Sequence, residues 1–574
     1  MKKYKVNSSR RREGALGYLV WTILIWTISI LLMISQAVSL LPVNNFWLGI
    51  FVVVALVLGL KYPRQIFWLF LAVLPLENII LSTNSVPIAV RPFQLIGGVL
   101  IIVLLATIAF RNKKIKFKLL KLTLPSLAIF KMEKIASKDT QVYLNPVDRL
   151  VIFLGVASLI GAQFSPDIKM SLKLSLVLFS FLGFYWVARN FTRNFKNLLE
   201  SIWFFLVGAD AVLTFGFYQK IAEKFGWVSM QVMDKRINAT FTEPNWLGAY
   251  LVFILALFLG LKYILKLLRR DDACLGKVVQ RFSQMNVGNW PMLKISQVII
   301  NLYVFVIIAE LILTVSRSAW LGAGVVLGAY VVVVFLKEGI IKAGKTIIFA
   351  SIKIGVVIFL LSSFGLSDFH LTNRAVSSAS GLQKITISCQ SNITKKQIKN
   401  GATIASTQEL SNYGCAHINL EEIEFEKQNG GVIKEVYRPD PSVDVRKDVY
   451  KKSLTEIKKN WLFGQGLGSS GMFLGKDDLG HSLNSSNIFL EVLISMGAAG
   501  LAIFILILAT PFVVGLKLLQ IKSGKYTHKP KEVIAVFFLL TFFAILIPNL
   551  FNAGFLIAFF WIWLAMVMSY LSME

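Results

Sequence analysis

Four groups in this chain of 574 residues have the chemistry to hold a phosphate and move a proton. Arg236 stands in DKRINATFTEPNWLGAYL, Arg317 in TVSRSAWLGAG and Arg446 in RKDVYKKSLTEIKKNWLFGQGLG. A guanidinium can fork two hydrogen bonds onto one phosphate. The fourth group, His481, opens HSLNSSNIFLEVLISMGAAG, and imidazole is the side chain that exchanges a proton near neutral pH. Arginines around a diphosphate would offset the charge that develops as it leaves. A histidine beside them would act as general base toward an acceptor hydroxyl. These groups suit transfer of a glycosyl unit from a lipid diphosphate to a hydroxyl, and that chemistry calls for no cofactor and no metal.

Each group also has a plainer reading. Glu310, Thr314 and Arg317 are spaced i, i+4, i+7, so they share a helix face, and an ion pair fixing the turn is the alternative to phosphate binding. His481, Asn484, Asn487 or Ile488, and Glu491 recur at helical spacing, which carries Glu491 about one turn into an apolar span. A lone histidine is more often structural than catalytic, but His481 stands at the outer mouth of a helix whose next polar residues line one face, which makes the two readings equal. Arg446, Tyr450, Leu454, Ile457 and Trp461 form one stripe of an amphipathic helix stopped by Gly464. That stripe would bring Arg446 to the bundle; a helix lying on headgroups is the alternative. Asn245 follows Pro244 and opens the next span. Asp477-Asp478 could hold a divalent ion, although a solvated turn accounts for the pair equally simply. Asp271-Asp272 lies on the other face. Asp210 and Lys353 complete the ionisable residues in or near spans; Lys353 is expected to snorkel to the interface, and Asp210 has no evident partner.

The elements that must position these groups are membrane helices. The chain is 56% hydrophobic and 16% charged, with mean hydropathy +0.66, against about 25% charge in soluble domains. About fourteen apolar spans follow: 16–38, 44–60, 65–81, 92–110, 150–164, 172–190, 198–219, 245–265, 295–315, 318–336, 346–366, 487–516, 533–548 and 551–571. A soluble enzyme, a disordered chain and a DNA-binding domain are excluded. The connections on one face hold 36 Lys/Arg and those on the other, apart from 367–486, hold eight. The rich face is therefore cytoplasmic, with both termini on it. The net charge of +29 thus reports orientation and attraction to anionic lipid, not nucleic acid. Arg236, Arg317, Arg446 and His481 all map to the opposite, extracytoplasmic face. The N-terminal run is too long for a signal peptide and reads as an uncleaved first helix. The order is N-terminal helices (1–235), helices with the Arg236 and Arg317 motifs (236–366), a large extracytoplasmic loop (367–486) and C-terminal helices (487–574). Cys389 and Cys415 lie in that loop, where a disulfide fits an oxidising compartment; two unpaired thiols are the alternative.

Taken together, RINATFTEPNWLGAYL, SRSAWLGAG, RKDVYKKSLTEIKKNWLFGQGLG and HSLNSSNIFLEVLISMGAAGL resemble the O-antigen ligase and O-antigen polymerase family of bacterial inner-membrane proteins, over about 236–515. The resemblance implies an all-α polytopic bundle of the C-type glycosyltransferase architecture. It implies an undecaprenyl-diphosphate-linked glycan as donor, and lipid A-core, another repeat unit or protein as acceptor. It places the family's catalytic arginines on Arg236 and Arg317, its loop arginine on Arg446 and its histidine on His481. Asn245, Asn484 and Glu491 would then contact substrate. Two departures stand out: Ser482 follows the histidine where asparagine is frequent, and Tyr450 stands where tryptophan is common. A repeat-unit polymerase is the near alternative, and a lipid-linked glycan flippase or exporter the distant one. The flippase predicts basic residues through the membrane depth instead of at one face.

Overall fold

Apolar stretches of this length must close their backbone hydrogen bonds internally, and in lipid the helix does so. A computed structural model of the chain describes residues 8–83, 89–112, 146–233, 235–268, 290–366, 382–390, 398–405, 407–418, 423–439, 441–475, 483–519 and 530–573. The protein is a polytopic helical membrane protein. Among the described residues, the helices before the loop are α1 (Ser8–Ala37), α2 (Asn45–Lys61), α3 (Pro63–Val73), α4 (Pro92–Asn112), α5 (Pro146–Gln163), α6 (Ile168–Phe191), α7 (Phe195–Phe225), α8 (Pro244–Leu268), α9 (Trp290–Leu313), α10 (Arg317–Glu338) and α11 (Ile340–Ser363). After the loop come α15 (Ile488–Leu519), α16 (Pro530–Asn549) and α17 (Ala558–Leu571). Every apolar stretch read from the sequence carries one of these helices. Among the described residues, eight helices are long and apolar enough to cross a membrane, and shorter apolar helical stretches cover Asn45–Lys61, Pro63–Val73, Pro92–Ile108, Gln297–Leu313, Ile534–Asn549 and Ala558–Leu571.

Two spans are shorter than the sequence predicts. The stretch 65–81 is helical only to Val73, because Pro75 cannot donate to the ladder. The chain then runs on without helix, with Leu74, Leu76, Ile79 and Leu81 buried. The stretch 551–571 is helical only from Ala558, because Asn549 turns back to accept from the Gly554 N–H at 3.1 Å.

Contacts sort the connections into two ends. At one end, Val43 bridges Ser82, the Asn78 N–H meets Thr240 O at 2.7 Å and the Ile237 N–H meets Leu313 O. At the other, Arg64 pairs with Glu200, Arg189 with the fully buried Asp148 at 3.0 Å, and Lys266 with Glu338 at 2.7 Å. The core is densest around α8, whose most apolar stretch is 89% buried.

The loop is not wholly helical. β1 (Leu382–Gln390) is flanked by β2 (Cys415–His417) and β3 (Gly431–Pro439), both antiparallel to it. Its period-2 alternation turns Ile385, Ile387 and Cys389 into a small core with Ile398, Leu410 and Val436. Cys389 and Cys415, register partners of β1 and β2, form a disulfide. The short helix α12 (Ile423–Gln428) precedes β3. Joining cysteines 26 residues apart stabilises such a unit by roughly 3 kcal/mol through chain entropy. Cys389→Ser with Cys415→Ser should therefore expose 382–439 to protease at a temperature where the native chain resists, the helices remaining protected.

From β3 the chain returns through α13 (Pro441–Ile457) and α14 (Ser470–Leu474). The segment between them enters a break in α15. At Gly497 the helix leaves helical geometry (φ +66°, ψ −170°). The N–H groups of Gln465 and Gly466 donate to Ile494 O and Ser495 O, at 2.8 and 2.9 Å. The N–H groups of Ala498 and Ala499 donate to Trp461 O and Leu462 O, at 2.8 and 3.2 Å. A broken membrane helix is tolerated where its freed groups find partners in protein, and here 461–466 supplies them.

Candidate active site

The centre of the site is a junction between two connections. Arg236, half-buried, donates from Nε to Thr314 O at 2.9 Å and from Nη2 to Asn245 Oδ1 at 3.1 Å. The guanidinium thus ties the start of α8 to the turn leading into α10. Pro244 is the first residue of α8 and Arg317 the first of α10, so Asn245 and Arg317 both stand at helix starts, where the dipole favours an anion. The two helix starts pack closely. A Cβ on Gly248 would come 2.6 Å from Ala319 Cβ and 3.2 Å from Ser316 Cβ.

The turn itself is strained. Val315, β-branched and buried, has φ +49°, a region such residues rarely enter. Met230, Lys235, Ala239 and Ser486 also have positive φ, in the connections bearing Arg236 and following His481. Strain gathered in this way marks backbone held for a purpose.

The Glu310 relation differs from the expectation. α9 ends at Leu313, so Thr314 and Arg317 do not continue its face. Glu310 is fully buried against Gly216 and the Phe217 backbone of α7, and among the described residues it makes no ion pair with Arg317.

The stripe following His481 is also not helical at first. His481 itself and Asp477-Asp478 lie outside the described residues, as does Asp271-Asp272. Residues 483–487 are non-helical, and α15 starts at Ile488. Asn484 is exposed, and its Oδ1 accepts from the Ser486 N–H at 2.9 Å. Asn487 caps the helix through the N–H groups of Phe489 and Leu490. Glu491, only 6% exposed, accepts from Ser470 Oγ and from the Ser485 N–H, both at 2.9 Å. Its carboxylate clamps α14 to the segment just after His481.

On α13 the buried face is Val449 and Ser453, whereas Leu454 and Trp461 are 56% and 61% exposed. The helix ends at Ile457, four residues before Trp461, so the predicted stripe rotates by about one position. Arg446 nonetheless reaches the bundle, its guanidinium 5.4 Å from the Phe551 ring. Leu454 and Tyr450 are not simply solvated. With Asn487, Phe489, Leu490, Leu493 and Leu501 they line an open, mainly apolar cleft of about 320 Å³ beside the Arg446 helix.

The sequence reading missed the connection 550–557, taken there as membrane span. Leu550 O accepts from Asn487 Nδ2 at 3.0 Å. Phe551 lies under Arg446, and Asn552 Nδ2 donates to Ser318 Oγ beside Arg317 at 3.4 Å. A Cβ on Gly554 would stand 2.9 Å from Trp246, next to Asn245. One connection therefore touches the elements bearing Arg446, Arg317 and Asn245 and the segment after His481. The signal was the polar pair in PNLFNAGF, two asparagines with a glycine interrupting an apolar run.

Two other expectations change. Asp210 accepts from Trp26 Nε1 at 2.8 Å and from Tyr303 OH at 2.6 Å, so it joins α1 and α9 to α7. Lys353 also has a partner inside the bundle, donating to Asn301 Oδ1 at 2.7 Å.

Residues 302–505 match a protein-family model described as O-antigen ligase. The matched segment takes in Arg317, Arg446, His481, Asn484 and Glu491; Arg236 and Asn245 precede it. No curated protein matches the chain, and no solved structure does.

Proposed function

We propose that the chain, whose residues 302–505 match the O-antigen ligase family model, is an O-antigen ligase/polymerase-type membrane enzyme, and of the two a ligase. In this reading it is a glycosyltransferase of the bacterial inner membrane that passes a glycan from an undecaprenyl-diphosphate carrier to a hydroxyl of lipid A-core or a similar acceptor. Arg236 and Arg317 bind the diphosphate, and Arg446 supports it from the loop. His481 takes the acceptor proton as the acceptor oxygen attacks the anomeric carbon. The bond from that carbon to the diphosphate breaks, and the diphosphate leaves with the electron pair. The site faces the extracytoplasmic side, opposite the basic-rich connections.

One observation supports this reading above the others: Arg236 hydrogen-bonds Thr314 O, three residues before Arg317. Two arginines distant in sequence are thereby tied into one junction at the starts of two helices. Proteoliposomes given a lipid-diphosphate glycan and candidate acceptors, with products read by mass, test it. Arg317→Ala and His481→Ala each abolish transfer while the protein remains inserted; a well-expressed, fully active double variant overturns the proposal. Activity that survives a chelator separates the arginine mechanism from a metal at Asp477-Asp478. Growth of the donor glycan by whole repeat units, with no acceptor adduct, assigns polymerase instead.

A further inference from the structure

The opposite end of the bundle holds a cationic cluster that glycosyl transfer does not use. Lys262 of α8 and Lys353 of α11 both donate to Asn301 Oδ1 of α9, at 3.0 and 2.7 Å. Asn301 is fixed in turn by its Nδ2 on Gln297 O at 2.8 Å. One neutral oxygen thus holds two ammonium groups side by side. The charges that act on Lys262 are Lys353 and Lys266, of its own sign. Among the described residues no carboxylate pairs with Lys262 or Lys353. The nearby buried Glu338 is taken by Lys266 at 2.7 Å and Lys342 at 3.7 Å.

Such a pair is costly where the dielectric is low, since like charges repel and each resists leaving water. Both lysines remain half-buried. The residues beside Asn301 on α9, Val298 and Leu302, and beside Lys353 on α11, Phe349, Ile352 and Val356, are exposed, so the cluster opens toward lipid on that side. The compensating anion therefore arrives from the lipid side. We propose that Lys262, Lys353 and Asn301, with Lys266 at the rim, bind the phosphodiester headgroup of an anionic phospholipid. Basic pockets between helices are suited to such headgroups, and the apolar flanks favour a lipid over free phosphate.

The test uses the full chain, delipidated in neutral detergent and titrated with phosphatidylglycerol, cardiolipin or phosphatidylcholine, with native mass spectrometry and thermal melting as readouts. One anionic lipid stays bound and raises the melting midpoint, while phosphatidylcholine does neither. Lys262→Gln with Lys353→Gln weakens retention at least tenfold, and Lys345→Gln, at an exposed neighbouring position, leaves it unchanged. Asn301→Asp places the counter-charge inside the protein; it should fold, gain stability without lipid and lose the anionic lipid, which keeps the proposal testable if the glutamine pair misfolds. Equal retention of both lipid types, or retention undiminished in Asn301→Asp, overturns it. Stabilisation by millimolar inorganic phosphate equal to that by lipid overturns the lipid as source.

Discussion

Arg236→Lys is expected to lower the transfer rate about 100-fold, near 2.7 kcal/mol of transition-state stabilisation, while the protein still inserts and folds. The substitution keeps the charge, so a site that needed only a cation would hardly notice it. Two contacts of the guanidinium say otherwise. Nε donates to Thr314 O at 2.9 Å and Nη2 to Asn245 Oδ1 at 3.1 Å, and those acceptors belong to different helix starts. An ammonium on a flexible stem cannot hold both and still present a planar fork to a diphosphate. A charge-assisted hydrogen bond is worth about 1.5–3 kcal/mol. Losing one of the pair also leaves a buried carbonyl unpartnered beside Val315, whose φ of +49° already stores strain. Initial rates in proteoliposomes, compared with the melting midpoint of the same preparation, read the outcome. A variant with native rate would mean that Arg236 acts as a point charge or not at all. A variant that fails to melt cooperatively would reassign it to the fold.

Much of this arrangement was legible in the sequence because membrane helices declare themselves by apolar length. The segregation of connections to two ends was read from charge alone. What periodicity could not see was where helix gives way to irregular chain inside an apolar run. Pro75 ends α3 early, and Asn549 folds back on Gly554; both are single polar or ring constraints overriding a hydrophobic count. The stripe on α13 was misplaced because exposed leucine is ordinary in a chain that faces lipid, so apolarity ceased to mark the packed face. Leu454 lines a cleft while Ser453 is buried. Glu491 was found from its cost in a span, but its two serine partners, 21 and six residues away, are a tertiary fact. The Arg236–Thr314 contact joins residues 78 apart and has no local signature at all.

Gly464 in WLFGQGLG was read as a helix stop; its actual use, with that of Gly497 in SMGAAG, predicts the largest loss of stability. Gly497→Ala should prevent the chain from reaching its folded state, removing glycan transfer and expressed, detergent-stable protein together. Gly497 has φ +66° with an extended ψ, a combination open essentially to glycine alone and worth about 1–3 kcal/mol against any other residue. A Cβ there would also stand 2.2 Å from Leu462 O and 2.5 Å from Phe463 N, which are backbone atoms that cannot rotate aside. To make room, the 461–466 segment must withdraw, and the N–H groups of Ala498, Ala499, Gln465 and Gly466 then lose their partners. Each unpartnered backbone group away from water costs about 1–3 kcal/mol, so four of them together with the strain reach about 5–15 kcal/mol, the whole of the stability of a typical domain. Gly464→Ala fails the same way, its Cβ meeting Gly497 N and Met496 N at 2.5 Å. Gly324→Ala, on α10 with open space around it, is the control and should express and melt as the native chain does. Because this junction anchors the chain between Arg446 and Glu491, a partly folded Gly497→Ala protein would lose transfer before it lost the disulfide-bonded sheet. Protease mapping of the loop beside an activity assay distinguishes that order from general unfolding, and native activity in Gly497→Ala would mean that the helix break has no part in holding the site.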